Sequence, residues 1–288
     1  MLSYVHAFHA GNYGDILKHT VLFHTLTHML KKDKPFCVLD THSGSGKYLL
    51  SDQRLLKTGE AQNGIQKLLQ APEKDLDAIF GTDFLSILKK YTEKGFYPGS
   101  PEIARTLLRK KDQLLLNELH PAVFEELKAN MHTPPLERLQ EEKALPSITI
   151  TREDAAAFLN RSVPPVVKRG CVIIDPSYED AEDYRNTALM FSKAWKKWSS
   201  ASWLIWYPLL SRRKDEIEAL KQTVTDTVES TNSTQDKKSV FFEIQIRDES
   251  SLTGLSSMYG SGMLAVNPVY GLTEKMAQAL PLMEKYLR

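Results

Sequence analysis

Asp175-Pro176-Ser177-Tyr178 follows directly on the apolar run Cys171-Val172-Ile173-Ile174. A buried strand therefore delivers a carboxylate, a turn with one φ fixed by Pro176 and an aromatic ring into one small volume. These groups suit a planar amino group. A strand-end carboxylate accepts a hydrogen bond from an exocyclic N–H, the carbonyls around Pro176 face the cleft, and Tyr178 can stack on a heteroaromatic ring.

A second constellation is Val38-Leu39-Asp40-Thr41-His42-Ser43-Gly44-Ser45-Gly46, a strand running into a glycine-rich turn. Gly44 and Gly46 allow backbone to approach a bound nucleoside without Cβ interference. Three ligand classes use such turns. A phosphate-cradling loop around Gly46-Lys47 needs Gly at position 41 and Ser or Thr at 48, where Thr41 and Tyr48 stand. A dinucleotide turn needs a small residue at 49, where Leu49 stands. The remaining class resembles the S-adenosylmethionine loop, whose strand carries an acidic residue near its end, as Asp40 does here. Glu118 ends the next predicted strand, where a carboxylate can accept from both ribose hydroxyls, and Asp154 follows the third, placed to accept from an adenine amino group. Taken singly, either acid would be read as a helix N-terminal residue satisfying the dipole. The order of the four elements makes the cofactor reading specific.

Short apolar runs rich in β-branched and aromatic residues predict strands over 36–40, 114–118, 148–151, 171–175, 203–207, 240–247 and 263–267. Helical stretches separate most of them. Ser100 is read as an N-cap with Pro101 at the first helical position, Pro121 opens a helix through 131, and amphipathic runs cover 183–198, 215–228 and 273–287. The alternation implies an open, mainly parallel sheet with helices on both faces. The last two strands lie too close for a crossover helix and should pair antiparallel, an ending similar to that of the class I methyltransferase sheet. More than seventy residues separate the first two strands, and 61–94 is helical in pattern, with a break at Asn63-Gly64 and a stop at Gly95. This segment is read as a small helical insertion or lid, with packing decoration remote from the site as the alternative that the sequence leaves open. By composition, 230–236 is a polar loop.

The charges, 37 Lys and Arg against 36 Asp and Glu, sum to +1 and supply no bulk field for nucleic acid. Any RNA site must be local. Candidate basic clusters are Lys31-Lys32-Lys34, Lys89-Lys90, Arg109-Lys110-Lys111, Lys196-Lys197 and Arg212-Arg213-Lys214; each lies near a predicted helix end, where a solvated cation beside the helix C-terminus is the favoured reading for several of them. The two cysteines, Cys37 and Cys171, fall in apolar runs and read as buried thiols in a reducing compartment. With no leader-like N-terminus and no run of membrane-spanning length, a cytoplasmic location without membrane contact is expected. His24 and His28 have helical spacing, but Thr25 replaces the Glu of a zinc-protease motif, so no metal is expected.

Asp175-Pro176-Ser177-Tyr178 resembles the Asp/Asn/Ser-Pro-Pro-aromatic motif of enzymes that methylate exocyclic nitrogens, with Ser177 where a second Pro is usual. The N-terminal run from Ser3-Tyr4-Val5-His6 through Asp15-Ile16-Leu17-Lys18-His19, the loop Asp40 to Gly46, Tyr97-Pro98-Gly99-Ser100-Pro101 and Asn117-Glu118-Leu119-His120-Pro121 are similar to the RlmJ family of 23S ribosomal RNA adenine-N6 methyltransferases. Trp206-Tyr207-Pro208 and Met258-Tyr259-Gly260-Ser261-Gly262 agree with it.

The resemblance implies an α/β class I S-adenosylmethionine-dependent methyltransferase, with a Rossmann-like seven-stranded sheet, its last strands antiparallel, and a small helical insertion after the first strand. The methyltransferase domain is expected over 1–50 and 96–288, and the insertion subdomain over 51–95. Lys18, His19, His42, Ser100, Glu118 and Asp154 with Ala155 would line the S-adenosyl-L-methionine pocket; Ala155 stands where the family carries Gly. Asp175 would be catalytic, with Pro176 and Tyr178 beside it, while Tyr4 and His6 would meet the RNA or close over the target adenine. The implied partner is 23S ribosomal RNA, free or in early assembly particles, and a monomer is expected. Methylation of DNA adenine, or RNA binding without catalysis, would use the same fold.

Overall fold

The seven apolar runs form one sheet in the order β5-β4-β1-β6-β7-β9-β8. The structure, a computed structural model, describes residues 4–137, 144–231, 238–249 and 258–288. Ser3 and most of the polar loop at 230–236 lie outside these residues. In chain order the elements are α1 (Tyr13–Leu30), β1 (Cys37–Asp40), β2 (Lys47–Leu49), α2 (Gln53–Thr58), α3 (Glu73–Phe80), α4 (Thr82–Glu93), β3 (Phe96–Pro98) and α5 (Ser100–Leu107). There follow β4 (Gln113–Asn117), α6 (Pro121–His132), β5 (Ser147–Thr151), α7 (Ala155–Ser162), β6 (Gly170–Ile174) and α8 (Ala181–Trp195). The chain closes with β7 (Ser202–Leu210), α9 (Lys214–Ser230), β8 (Ser239–Gln245), β9 (Met258–Val266) and α10 (Leu272–Leu287).

Side chains alternate across the strands and feed two hydrophobic layers. Val38, Cys171, Ile173 and Leu204 face the layer built with α1, α5 and α10. Cys37, Leu39, Val172, Ile174, Trp203 and Ile205 face the layer built with α7, α8 and α9. Central strands covered on both faces must be apolar throughout, which is why β6 reads as an unbroken Val/Ile run. Leu55, Ile65, Ile79 and Phe84, from the helical stretch after β2, join the first layer.

β1 pairs in parallel with β4 on one side and β6 on the other, with Asp40 opposite Leu116 and Ile173. The chain steps outward from β1 through β4 to β5, then returns to β6 and steps the other way. The carboxyl ends of β1, β4 and β6 therefore open around one crevice at the point where the order reverses, the usual ligand position in such sheets. β9 pairs antiparallel with both β7 and β8, as expected.

Two local features differ from the sequence expectation. β7 does not stop at Tyr207, before Pro208, but runs through Leu210. β6 accompanies it only as far as Ile205, so Pro208 pairs with Ser261 of β9 alone and its missing N–H leaves no partner unsatisfied. Gly99, not Ser100, is the N-cap of α5, and Pro101 sits one residue deeper than expected. Ser100 is thereby free to spend its hydroxyl on the site.

Candidate active site

Two cavities meet at the end of β6. The smaller, of about 220 Å³, lies over the carboxyl ends of β1 and β4; the larger, of about 810 Å³, lies on the β7 and β9 side. Tyr4, His6, Lys18, Asp175 and Ser177 line both and form the partition. Pro176 faces the smaller cavity and Tyr178 the larger, so the four-residue turn spans the wall.

Of the residues expected at a cofactor, Lys18, His19, His42, Gly44, Ser100, Glu118, Asp154 and Ala155 line the smaller cavity. Asp40 and Gly46 stand behind it. Asp40 is buried, accepting from Ser100 Oγ at 2.6 Å and from the His42 N–H at 3.2 Å. Burial raises its pKa to about 6, against the hydrogen bond from Ser100. Gly46 has φ +81°, and a Cβ there would meet Met131 Cε at 2.8 Å, so it is required by the turn and by packing on α6. Gly44, at φ +58°, leaves no room for a Cβ beside the Tyr48 hydroxyl.

Glu118 sits just beyond β4 and accepts from the Gly44 N–H at 2.9 Å and the His120 N–H at 2.8 Å. The carboxylate thus ties the glycine turn to the neighbouring strand and keeps further lone pairs for a ligand. Burial raises its pKa against those two bonds. Asp154 caps α7, accepting from the Ala157 N–H at 3.0 Å, while bordering the cavity. The capping role foreseen for a lone helix acid and the site position coincide in this residue. Burial lowers the pKa of His42 to about 4 and that of His19 to about 3, leaving both neutral near pH 7. His19 shares a 2.8 Å hydrogen bond with the Tyr97 hydroxyl.

On the partition, Lys18 Nζ lies 2.5 Å from Asp175 Oδ2 and 2.7 Å from Asp15 Oδ1. Burial works to lower the Lys18 pKa, but the two carboxylates outweigh it and raise it, so the ammonium persists. Asp15 also accepts from the Gly11 N–H at 2.8 Å and lies 2.9 Å from His6 Nε2; His6 Nδ1 in turn meets the Tyr4 hydroxyl at 2.8 Å. Burial would raise the Asp15 pKa, yet His6, Lys18 and His19 together hold it well below the usual carboxylate range. Tyr4 stacks on His9 with ring centroids 5.3 Å apart, and His6 meets Tyr48 edge-on at 5.3 Å.

Tyr178 adopts φ +50°, an unusual conformation for a bulky residue and one that concentrates at functional turns. Its hydroxyl donates to the Trp206 carbonyl at 2.7 Å, and its ring packs on Tyr184 at 4.5 Å and Trp206 at 5.9 Å. Only 3% of the residue is exposed, so it presents a small part of its ring to the larger cavity.

Asp15 is the residue beside the partition that sequence reasoning did not single out. Asn12 caps α1 by accepting from the Asp15 N–H at 2.9 Å, so the pair reads as ordinary helix-start chemistry. The available signal was its spacing of three from Lys18 and four from His19, which puts all three on one helix face.

Residues 33–288 match the family described as RsmJ: Ribosomal RNA large subunit methyltransferase D, RlmJ. The chain is 34% identical over 290 residues to the Escherichia coli protein named Ribosomal RNA large subunit methyltransferase J, covering 100% of this chain and 94% of that one. It is 33% identical over 291 residues to the Haemophilus influenzae protein of the same name, with the same coverage. A crystal structure of a protein from Legionella pneumophila superposes with a TM-score of 0.76 at 29% identity, over 97% of this chain and 94% of that one. By a family match that takes in the whole sheet and by relatives aligned from end to end, this chain belongs to the RlmJ family of ribosomal RNA large subunit methyltransferases.

Proposed function

We propose that the protein transfers a methyl group from S-adenosyl-L-methionine to the exocyclic N6 of one adenosine in 23S ribosomal RNA. The observation that carries this reading is Asp175 standing in the wall shared by two cavities, one furnished for a nucleoside cofactor and one open on the opposite side. The residues of the smaller cavity fit the cofactor chemically. Glu118 is a half-enclosed carboxylate suited to two ribose hydroxyls, the Gly44 turn admits close backbone approach, and Asp154 offers an acceptor for an amino group. When bound, S-adenosylmethionine supplies an electrophilic methyl group.

The chain's own residues orient the nucleophile. Adenine N6 attacks poorly because its lone pair is delocalised into the ring. Lys18 fixes Asp175 through Oδ2, and among the described residues Oδ1 has no partner. Oδ1 and the Pro176 carbonyl accept the two N6 hydrogens, favouring a pyramidal nitrogen and stabilising positive charge as it develops. No strong base is needed: the proton becomes acidic once the carbon–nitrogen bond forms at the expense of the carbon–sulfur bond that held the methyl group, and it passes by way of Asp175 Oδ1 to solvent. Tyr178 and Trp206 bound the space for a base turned out of its stack, and Tyr4 with His6 separates that base from the cofactor side until the two meet at Asp175. Segment 51–95 serves as the insertion subdomain on a methyltransferase domain of 1–50 and 96–288, and the enzyme works as a cytoplasmic monomer on free RNA or early particles.

Replacing Asp175 tests the assignment. Asp175→Ala should keep cofactor affinity and abolish turnover, and Asp175→Asn should retain a small fraction. Near-parental turnover in the purified alanine variant would sink it.

A further inference from the structure

We propose that Arg212 and Arg247 hold backbone phosphates on either side of the target nucleotide, so that the RNA strand crosses the mouth of the larger cavity between the carboxyl ends of β7 and β8. The inference rests on the RNA methyltransferase reading and deepens it by naming where the RNA lies.

With a net charge of +1, attraction to RNA must come from a local group of uncompensated cations. Position in the fold discriminates among the five basic clusters. Lys31, Lys32 and Lys34 precede β1, Arg109, Lys110 and Lys111 precede β4, and Lys196 and Lys197 precede β7. All three clusters stand at amino ends of strands that run parallel, the edge of the sheet away from Asp175. Lys89 and Lys90, on α4, are paired with Glu73 and Glu137. Only the cluster at Arg212 follows a parallel strand, β7, and so emerges at the site.

Within that cluster, Arg213 pairs with Glu216 at 2.9 Å and Lys214 with Glu249 at 2.7 Å. Arg212 is exposed, lines the larger cavity and has no acidic partner among the described residues. Arg247 shares these properties. It follows β8, which runs parallel to β7 because both are antiparallel to β9, and so reaches the same edge. The other cations around the cavity are engaged. Lys18 lies between two carboxylates, Lys67 donates to the Arg288 carbonyl at 2.7 Å, and Arg288 donates to the Gln245 carbonyl at 2.9 Å and lies 3.5 Å from Glu284. Two exposed guanidiniums with no acidic partner among the described residues therefore line a cavity whose wall includes Asp175. A guanidinium presents a planar fork of donors matched to phosphate, and Tyr13 and Trp206 line the same cavity as surfaces for bases.

The test is the affinity of the full chain for 23S RNA at several salt concentrations, with methyl transfer and S-adenosylmethionine affinity measured alongside. Replacing both residues (Arg212→Ala with Arg247→Ala) should weaken RNA binding about tenfold or more and lower the magnitude of the log–log salt slope by about 1.4, at about 0.7 per single-strand phosphate. Cofactor affinity should stay parental. The paired lysine variant, Arg212→Lys with Arg247→Lys, should keep the parental slope, which a merely structural role would not predict. Lys32→Ala with Lys34→Ala, at the opposite edge, should change nothing. The same slope and affinity in the parent, alanine and lysine proteins would overturn the inference while leaving the enzyme reading intact. A parent that neither binds nor methylates RNA would overturn both.

Discussion

Asp15→Asn removes one charge from the middle of the partition and changes little in volume. Asp15 and Lys18 are 1% and 5% exposed, and breaking such a buried pair from one side costs about 3–5 kcal/mol. Here Lys18 keeps Asp175 as a second partner, so the loss should be smaller, about 2–3 kcal/mol. The introduced amide oxygen can still accept from the Gly11 N–H on the Oδ2 side, which it shares with His6, but its NH2 then takes the Oδ1 position and faces the Lys18 ammonium. Lys18 would be drawn wholly onto Asp175, and His6 would lose the carboxylate that orients it. Turnover should fall roughly tenfold or more, with cofactor affinity less affected. Urea unfolding and methyl transfer measure the two effects, and a double-mutant cycle assigns them to the pair. Lys18→Met should cost at least about 1 kcal/mol less in the Asp15→Asn background than in the parent, because the uncompensated cation has gone. Parental stability and turnover in the single variant, or no coupling in the cycle, would refute Asp15 as the organiser of the wall.

Glu118→Gln should weaken S-adenosylmethionine binding about tenfold in calorimetry, by loss of a charge-assisted acceptor, while the thermal midpoint stays near parental; unchanged affinity would remove Glu118 from the ribose site. Stability should fall as pH drops below the ordinary histidine pKa of about 6.5. The folded-state pKa values of His24 and His42 are lowered to about 4 and that of His19 to about 3, so their contribution is present above 6.5 and lost on the way down to those values, at roughly 3 kcal/mol apiece by pH 4. Asp40 acts in the opposite sense: raised to about 6, it stabilises most below the unfolded carboxylate range and loses that contribution as pH rises through 6. Glu118, also raised by burial, acts with Asp40, while Asp15, held low, acts with the histidines, so four groups against two predict net acid destabilisation in urea melts, and a flat profile from pH 7 to 4 would contradict these burials.

The sheet was legible because its central strands, covered on both faces, must be continuous apolar runs, while the edge strands β5 and β8 showed as short stretches of β-branched and aromatic residues broken by polar ones. The site was legible where chemistry sits at strand ends, as with Asp40, Glu118 and Asp175. α1 was not, although it carries Asp15, Lys18 and His19. Most of that helix is buried, so it shows no polar face and no clear period. β2 and β3, with three residues each, are too short for alternation to register. Glycine spacing pointed to the turn but could not separate Gly44, which lines the cavity, from Gly46, which packs on α6. The partition itself depends on Lys18 and Asp175, 157 positions apart in the chain, which no local pattern reports.

The central claim is methyl transfer to an RNA adenosine through Asp175. Its most direct test incubates the purified protein with labelled S-adenosylmethionine and unmodified, protein-free 23S RNA, alongside unmodified large subunits and duplex DNA, and identifies the modified nucleoside. The account predicts N6-methyladenosine in the RNA, none in the DNA and none from the Asp175→Ala protein. Label in DNA alone, in another nucleoside, or in none of the three from protein that binds the cofactor would contradict it.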